Sequence, residues 1–331
     1  MDVQLQQLSY FLAVARARHF TRAADTLHVA QPSLSKQIRA LETELGAPLF
    51  SRARGNITLT PAGEALLPLA ERILADVDTA RLEVQELIGL RRGRVRVGAT
   101  PSLCSGLLAD ALRRFHDAHP GIELVVEEGG SRDLVRELTR GALDLALVIL
   151  PLADGTPLAT TPILREDLVV AARRDDPTLP NRRLSITDLR NRPLVMFRPG
   201  YDLREATIAA CRHAGFQPRL AVEGGEMDAV LRFVEAGLGV AVVPSMVLAG
   251  HPDLRAVPLS LDTGRDPHSL HRTVALAHRK DVAPTHAATA FRETLEAHIR
   301  AAATAGSLPP GVDLLLDSRT SSATADLPDR S

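Results

Sequence analysis

The pattern of apolar positions at the start of the chain predicts three helices packed together. The first covers about residues 4–17, where apolar side chains fall three and four positions apart: Leu5, Leu8, Phe11, Leu12 and Ala15. A short second helix is expected to begin after Thr21, a good N-cap residue, and to end near Leu27. The third is expected to begin at Pro32, where the missing N–H of proline costs nothing, and to end at Gly46.

The third helix has two chemically different faces. Its apolar back repeats every three or four positions: Leu34, Ile38, Leu41 and Leu45. Its opposite face, called the polar front below, consists of Pro32, Ser33, Ser35, Lys36 and Arg39. The front has no acid before Glu42, whereas a solvated helix face usually mixes acids with lysines. Two short helices around a tight turn with such a front indicate a helix-turn-helix, and the alternative is a three-helix bundle with a solvated face.

A short hairpin is expected after the third helix. Gly55-Asn56 is a strong turn signal, and Ile57 and Leu59 alternate as on a strand. The hairpin would carry Arg52 and Arg54, so it reads as a wing that places cations along a nucleic-acid backbone or in the minor groove. Residues 1–60 are therefore predicted to form a winged helix-turn-helix domain.

Residues 61–90 predict one long helix between two domains, with Thr60 as N-cap and Pro61 in its first turn. Apolar residues recur along it at alternating steps of four and three: Leu66, Ala70, Ile73, Val77, Ala80, Val84 and Leu87. This heptad seam favours a dimerisation helix over a lone globular helix, and Pro68 should loosen its first turns. A dimer implies two recognition helices, and therefore a two-fold, interrupted palindromic DNA site.

Residues 91–302 alternate between strand and helix patterns, which predicts an α/β fold with parallel strands. Strands are expected at about 94–99, 122–127 and 143–149, with helices at 103–118 and 131–140 between them. After the turn-rich PLADGTPLATTP, a second alternating set predicts another lobe. We assign lobe I to about 91–162 and 268–302, lobe II to about 163–267, and a disordered tail to 303–331, in which only VDLLL could dock.

Two α/β lobes connected twice by the chain create a cleft between them. Open α/β sheets bind ligands outside the carboxyl ends of their strands. Here those ends are Thr100-Pro101-Ser102, Gly129-Gly130-Ser131 and residues 196–201. They combine hydroxyls, small residues and helix N-termini, which suits a small carboxylate or another anion.

Charge and cysteine content narrow the possible functions. Residues 1–60 carry a formal charge of +3, which leaves −4 for the remainder of the chain. A small basic module is thus joined to a larger acidic body. Cys104 and Cys211 have no zinc-ligand or CxxC spacing, and no long uncharged apolar run or signal peptide is apparent. We expect a cytoplasmic protein, with no membrane partner, no metal and no cofactor.

The enzyme alternative finds little support in the sequence. The chain has no GxSxG, P-loop or HExxH motif, and GLGVAVV precedes a strand instead of following one. Cys104 lies in the first turn of a helix beside the cleft, so a redox sensor with a lowered pKa is one hypothesis, and a small buried cysteine is the other. The alternative function, an α/β enzyme or solute-binding protein with an accessory helical domain, would need catalytic groups or an export signal.

Residues 5–66 resemble the N-terminal domain of LysR-type transcriptional regulators, through LQQLSYFLAVARARHFTRAADTLHVAQPSLSKQIRALETELGAPLFSR and LTPAGEALL. The resemblance implies that base edges are read by four residues: Gln31, Pro32, Ser33 and Lys36. It also implies phosphate contacts from Ser35, Arg39 and Thr21, with Arg52 as the wing arginine. Many members carry arginine where this chain has Lys36, and lysine cannot make the same fork to guanine.

The resemblance extends more weakly into the body, through EEGGSRDLVRELTRGALDLAL and LRFVEAGLGVAVVP. It implies a two-lobed effector domain like a periplasmic binding protein, and a homotetramer. By position, the effector-site candidates are Thr100, Ser102, Ser131, Pro199, Gly200 and Met227. Tyr201 is a further candidate as an aromatic wall, and Arg204 as a carboxylate partner. The chain is thus expected to be a regulator whose promoter binding or output responds to a small effector, which the sequence does not name.

Overall fold

The computed structural model of the protein describes residues 3–51, 57–87, 93–177, 179, 183–261 and 268–316. The three predicted N-terminal helices are present: α1 (Leu5–Ala17), α2 (Phe20–Thr26) and α3 (Gln31–Leu45). They pack around an aromatic cluster in which the ring of Phe11 lies 5.4 Å, and that of Phe20 5.8 Å, from the ring of Phe50. The apolar back of α3 enters this core, because Leu34, Ile38 and Leu41 are all fully buried.

The helix starts differ slightly from the prediction. His19, not Thr21, is the N-cap of α2, and its Nδ1 accepts a hydrogen bond from the Arg22 amide at 3.4 Å. Thr21 therefore lies inside the helix, where its side chain is exposed. Helix α3 begins one residue before Pro32, and Gly46 ends it in the left-handed region with φ 70°.

Two short antiparallel strands, β1 (Phe50–Ser51) and β2 (Thr58–Leu59), form the base of the predicted wing. The Glu42 carboxylate on α3 accepts the Leu49 amide at 2.8 Å and the Phe50 amide at 3.3 Å, so it fixes the wing against the recognition helix. Residues 52–56, with Arg52, Arg54 and the Gly55-Asn56 turn, lie outside the described residues.

The long helix α4 (Pro61–Leu87) contains Pro68 and is capped by Thr60, whose Oγ1 accepts the Gly63 amide at 3.1 Å. The predicted apolar seam divides into two parts. Leu66 and Ala70 pack into the core of the helix-turn-helix unit, because the first turns of α4 lie against that core. Two other members, Ile73 (42% exposed) and Val84 (55%), face outward, and Leu69 (55%), which the predicted seam did not include, joins them in an outward-facing stripe.

The body is built on one large mixed sheet. In chain order its strands and those of a small second sheet are β3 (Arg94–Ala99), β4 (Glu123–Glu128), β5 (Leu145–Leu150), β6 (Leu158–Arg173), β7 (Leu184–Ser185), β8 (Pro193–Met196), β9 (Arg219–Glu223), β10 (Ala241–Pro244), β11 (Leu254–Leu261), β12 (His268–Ser269), β13 (His271–Arg279) and β14 (Val312–Leu314). Its helices are α5 (Pro101–Leu103), α6 (Ala109–Ala118), α7 (Ser131–Thr139), α8 (Asp202–His213), α9 (Met227–Glu235) and α10 (His286–Thr304). A π-helical turn, Cys104–Leu108, joins α5 to α6.

The predicted boundary between the lobes falls inside one continuous strand. The first part of β6, up to Asp167, pairs with β13, whereas Leu168 to Arg173 pairs with β10 and β11. Lobe I comprises β3–β5, α5–α7, the first part of β6, β13, β14 and α10. Lobe II comprises the second part of β6, the strands β7–β12, and the helices α8 and α9. The parallel strands expected in each lobe are present, with β4-β3-β5 in lobe I and β8-β9 in lobe II.

The tail is ordered further than the sequence predicts. Helix α10 continues to Thr304, and β14 then adds to β6 with Val312 opposite Glu166. Val312 is buried against the core, so the VDLLL segment docks through its apolar side chains and its backbone hydrogen bonds. Residues 303–316 thus have a defined conformation, including the VDLLL segment that the sequence allowed to dock, and residues 317–331 lie outside the described part. None of the described helices is both long enough and apolar enough to cross a bilayer.

Candidate functional site

The polar front of α3 faces solvent. Pro32, Ser33, Lys36 and Arg39 are exposed, and Ser35 is half-buried. Gln31 precedes them on the first turn, and its Nε2 donates to Ser35 Oγ at 2.8 Å. The side chains opposite them hold the helix in the core, so the front can meet a partner without disturbing the fold.

Charge at this surface is free to act on a partner. Within the described residues, no carboxylate forms an ion pair with Lys36 or Arg39, and the first turn of α3 contains no acid. The N-terminus of α3 adds a partial positive charge, while Pro32 has no N–H and the Ser33 and Leu34 amides donate to the Ala30 carbonyl. One exposed face thus carries hydroxyls, cations and a helix N-terminus. These groups can donate hydrogen bonds to phosphate oxygens and to the acceptor atoms of base edges.

A cavity of about 150 Å³ lies between the two lobes and is called the interlobe cavity below. Its lining residues are Thr100, Pro101, Ser102, Gly130, Ile149, Leu150, Leu168, Tyr201, Asp202, Leu203, Ala206, Leu270, His271 and Arg272. Three of the predicted effector-site residues, Thr100, Ser102 and Tyr201, are among them. The wall is mostly aliphatic with a few polar groups, which is the usual composition of a small-molecule site.

The other predicted residues lie elsewhere around this cavity or away from it. Ser131 is buried at its edge, and its Oγ accepts the Ile149 amide at 3.2 Å. Pro199 and Gly200 form an exposed turn at its mouth. The Met227 side chain packs in the apolar core of lobe II, because it lies on the inner face of α9.

Arg204 does not serve as a carboxylate partner in the cavity. Its guanidinium donates to the Phe197 carbonyl at 2.9 Å and to Glu223 Oε1 at 2.7 Å. Both partners lie within lobe II, so this arginine ties the start of α8 to β9. The expectation of a ligand contact from Arg204 is therefore corrected.

A buried ion pair lies at the floor of the cavity. The Arg272 guanidinium donates from Nη2 to Glu166 Oε2 at 2.7 Å and from Nη1 to Ser102 Oγ at 3.0 Å. Glu166 is fully buried, and its other oxygen accepts the Met246 amide of lobe II at 2.9 Å. Arg272 and Glu166 sit opposite each other on the two strands that pass between the lobes. The pair therefore links both lobes to the Ser102 wall.

Tyr201, predicted as an aromatic wall, lines the interlobe cavity. Its ring stacks on Phe197 with centroids 4.6 Å apart, and its side chain is largely buried. Among the described residues, the buried phenol oxygen has no hydrogen-bond partner. Burial, followed by the charge of Glu226, raises the pKa of Tyr201, so the hydroxyl keeps its proton and can donate it to a ligand.

Acidic side chains stand near the mouth. Burial, with additional repulsion from Asp228 and Glu226, raises the pKa of Glu128. Glu226 is paired with Arg198, whose guanidinium lies 6.0 Å from the Tyr201 ring centroid. The mouth is thus a crowded set of acids with one arginine among them.

Cys104 does not fit the redox-sensor hypothesis. Burial, followed by the charge of Glu128, raises the pKa of its thiol to about 11, opposite to the lowered pKa that the redox-sensor hypothesis requires. The thiol also lies 3.7 Å from the Ala99 carbonyl oxygen. Because the thiolate is the reactive form, a raised pKa lowers the reactivity of this side chain near neutral pH. The described residues contain no cluster of ligands that could hold a metal ion.

Sequence reasoning missed the residues that shape the floor of the cavity. Arg272 lies in the apolar strand pattern LHRTVAL, and Glu166 in ILREDLVV. A single charge on the buried face of a strand is a signal for a paired or functional group. Asp202 was missed for another reason, because an acid in the first turn of a helix has an ordinary stabilising role there.

Helix α7 runs from the cavity to the contact of lobe I with α4. Ser131 begins it at the cavity edge, and Arg140 is its C-cap. The Arg140 Nε lies 3.3 Å from Glu71 Oε2 on α4, and Glu71 Oε1 lies 3.4 Å from Arg16 Nη2 on α1. Other ion pairs, such as Asp76 with Arg279 at 2.6 Å, hold α4 against lobe I.

Two family descriptions match the two parts of the chain. "Bacterial regulatory helix-turn-helix protein, lysR family" matches residues 5–64, and "LysR substrate binding domain" matches residues 89–300.

Individual proteins are similar over most of the chain. It is 34% identical over 247 residues to the transcriptional dual regulator GltC of Bacillus subtilis (strain 168), which covers 75% of this chain and 82% of GltC. It is 29% identical to a hydrogen peroxide-inducible genes activator of Dickeya chrysanthemi, over 74% of this chain and 80% of that protein. Full-length CbnR complexed with its target DNA has a TM-score of 0.65 at 27% identity, over 89% of this chain and 99% of CbnR.

Proposed function

The chain belongs to the LysR family of DNA-binding transcriptional regulators, which are not enzymes, and from this premise we propose that a small carboxylate in the interlobe cavity controls how it binds promoter DNA. The observation that carries the proposal is that one chain has both an exposed cationic recognition helix and a mostly aliphatic interlobe cavity. The first is suited to a large anionic partner, and the second to a small ligand.

The polar front of α3 reads the DNA in this proposal. Gln31, Pro32, Ser33 and Lys36 meet base edges in the major groove, where the leading residues of a recognition helix lie. Ser35, Arg39 and Thr21 hold phosphates, and Arg52 acts from the wing. The exposure of this front and the buried apolar back of α3 support these roles.

A second copy of the chain is the proposed partner of α4. The stripe with Leu69, Ile73 and Val84 leaves three large apolar side chains about half exposed on one helix. Pairing it with the same stripe of a second chain would bury it and place two recognition helices on a two-fold site. A tetramer, two such dimers, follows from the family pattern.

The proposed effector is a small carboxylate. The cavity holds a molecule of about benzene size, since a dry protein cavity of similar volume accommodates benzene. Aliphatic side chains would surround its body, while the hydroxyls of Ser102 and Tyr201 and the amides at the start of α7 would donate to its charge.

The contacts of α7 support a physical route between the two sites. A change in the separation of the lobes would shift Ser131 at one end of α7 and Arg140 at the other. Because Arg140 and Arg16 share the Glu71 carboxylate, the shift would alter how the helix-turn-helix sits on α4. A ligand biases DNA binding only if it prefers one arrangement of the lobes, and DNA then biases ligand binding equally. Such a regulator works where the chromosome is, in the bacterial cytoplasm.

A mobility-shift assay with DNA from upstream of the chain's own gene tests this function. We expect a specific complex at physiological salt that survives excess non-specific DNA, with a protected region made of two half-sites. Failure to form that complex with intact protein, with and without small carboxylates, would refute the proposal.

A further inference from the structure

One hydrogen bond crosses the interlobe cavity at its polar end. The Ser131 amide, the first of α7 in lobe I, donates to Asp202 Oδ2 in lobe II at 3.2 Å. Gly130 is the N-cap of α7 and has no side chain to cap the helix. The start of α7 is therefore capped by a carboxylate from the opposite lobe.

This position is the natural place for an anion. A helix N-terminus presents backbone N–H groups and a partial positive charge, and α7 has nine residues, enough to form both. A second, independent feature points to a ligand here. The Tyr201 hydroxyl, next to Asp202 in the chain, is buried on the cavity wall, and no described residue forms a hydrogen bond with it. A buried hydroxyl of this kind costs free energy until something accepts its proton.

We propose that Asp202 is a built-in occupant of the effector's carboxylate position, and that an effector binds by displacing it from the Ser131 amide. This inference rests on the proposed effector function of the cavity. The incoming carboxylate takes the Ser131 N–H and accepts the Tyr201 O–H, so the ligand satisfies one more donor than Asp202 does. Two carboxylates cannot share one amide, because like charges in a confined site repel.

Asp202 has a second position available to it. It is the first residue of α8, and the N-cap of α8, Tyr201, makes no side-chain capping bond. When the effector arrives, the Asp202 carboxylate can turn to the N-terminus of its own helix, where an acid is favourable. The residue then exchanges a contact between the lobes for a contact within lobe II. Asp202 thus controls the affinity of the cavity for carboxylates, and it also provides one hydrogen bond between the lobes.

The chain supplies its own reporter for this exchange. It contains two tyrosines and no tryptophan, and one of the tyrosines is Tyr201 on the cavity wall. Tyr10 lies in the N-terminal core, so a Tyr10→Phe background leaves Tyr201 as the only fluorescent tyrosine. The probe is isobutyrate, a branched aliphatic carboxylate that fits the cavity, titrated at constant ionic strength. Isobutyramide has the same shape without the charge.

In this background, Asp202→Ala should bind isobutyrate about tenfold more tightly than the parent, since it removes the competing acceptor. Asp202→Asn keeps a neutral acceptor and should fall between the two. Asp228→Asn is the matched control, because it removes one exposed negative charge near the mouth without freeing the Ser131 amide. Its affinity should stay within about twofold of the parent, as a screened surface charge allows. Isobutyramide should not saturate any variant.

Several results would overturn the inference. Equal affinities of the parent and Asp202→Ala would show that Asp202 does not compete. An equal gain in isobutyrate affinity in Asp228→Asn would show that the effect is general electrostatics. Saturable binding of isobutyramide would show that the site does not require a carboxylate. No saturable binding of isobutyrate to Asp202→Ala would also reject it. The mobility shift of the parent with its upstream DNA is measured separately, so failure of this inference is distinguishable from failure of the proposed function.

Discussion

The two ends of the molecule use charged side chains in opposite ways. At the polar front, Lys36 and Arg39 project into solvent, and the described residues offer them no ion-pair partner. At the interlobe cavity, Arg272 and Glu166 are buried and bonded to each other, to Ser102 and to the Met246 amide. One set of charges is left open for a partner outside the chain, and the other is satisfied within it.

This difference separates binding from stability. Exposed charges contribute little to folding, so they can be optimised for DNA. Buried charges contribute to folding only while their partners remain, because a lone charge in the interior is costly. A ligand of the cavity therefore meets an arginine that is already paired with a buried carboxylate, whereas DNA meets cations that have no ion-pair partner among the described residues.

Arg272→Met gives the largest expected effect. It leaves the Glu166 carboxylate buried without its partner, which costs about 3–5 kcal/mol of stability. For a domain of this size, the melting temperature should fall by about 10 °C. Calorimetry or urea unfolding measures it, and DNA contacts on α3 are not touched.

The double variant Arg272→Met with Glu166→Met is the control for a lost ion pair. It should recover part of that stability, since removing both charges also removes the desolvation cost. Recovery is incomplete because the Met246 amide loses its acceptor. A loss below about 1 kcal/mol in the single variant would contradict a structural role for the pair.

Ser33→Ala combined with Lys36→Ala tests the opposite end. Each base contact is worth about 1–3 kcal/mol, so specific DNA affinity should fall by about a hundredfold or more. The free energy of unfolding should not change, because both side chains are exposed. Quantitative mobility shifts and urea unfolding measure the two quantities.

Lys280→Ala is the matched control for this pair, since Lys36 and Lys280 are the only lysines in the chain. Lys280 is exposed on the effector domain and should leave DNA affinity unchanged. If Lys280→Ala lowers the DNA affinity as much as Ser33→Ala with Lys36→Ala does, the loss reflects general electrostatic attraction, and α3 does not read the base sequence.

Cys104 provides a third comparison, because its buried environment disfavours the negatively charged thiolate. A thiol with a pKa of about 11 instead of 9.0 has about a hundredfold less thiolate at neutral pH. Alkylation by iodoacetamide should therefore be slow at pH 7 and should accelerate as the pH rises towards that pKa. The measurement uses a Cys211→Ser background, and a rate that levels off below pH 9 would contradict the raised pKa.

Glu71→Gln gives the smallest expected effect, because its ion pairs are near the surface. Loss of the contact with Arg140 and Arg16 should reduce the effect of a carboxylate on DNA affinity by about threefold, the size of a partly exposed ion pair. Asp78→Asn, which loses only a pair within α4 with Arg81, is the control. If Glu71→Gln and Asp78→Asn change the carboxylate effect on DNA affinity equally, Glu71 has no specific part in the coupling between the cavity and the helix-turn-helix.

The sequence predicts the DNA-binding end well and the cavity only in outline, for a physical reason. The α3 stripe, its glycine end and the polar front depend on residues within one helix, where the spacing alone decides which face is buried. The cavity depends on contacts such as Ser131 with Asp202, 71 positions apart, and Ser102 with Arg272, 170 positions apart. No local pattern encodes such pairs.

The errors have the same origin. The length of β6 could not be predicted, because its two parts pair with strands of different lobes. The wrong placement of Met227 came from its position at a helix start, which does not reveal that its side chain points into the core. Likewise, Leu66 and Ala70 fit a heptad seam but are used by the helix-turn-helix core.

The central claim is that the state of the interlobe cavity governs how α3 meets DNA. Its most direct test is the dissociation constant and footprint of the Tyr10→Phe chain on its own upstream DNA, with and without isobutyrate at a concentration that saturates the Tyr201 fluorescence. We expect the dissociation constant to change by at least about fivefold, or the footprint to shift by a half-site, as coupling between two sites requires. An unchanged constant and footprint, with the cavity shown to be occupied, would contradict the claim.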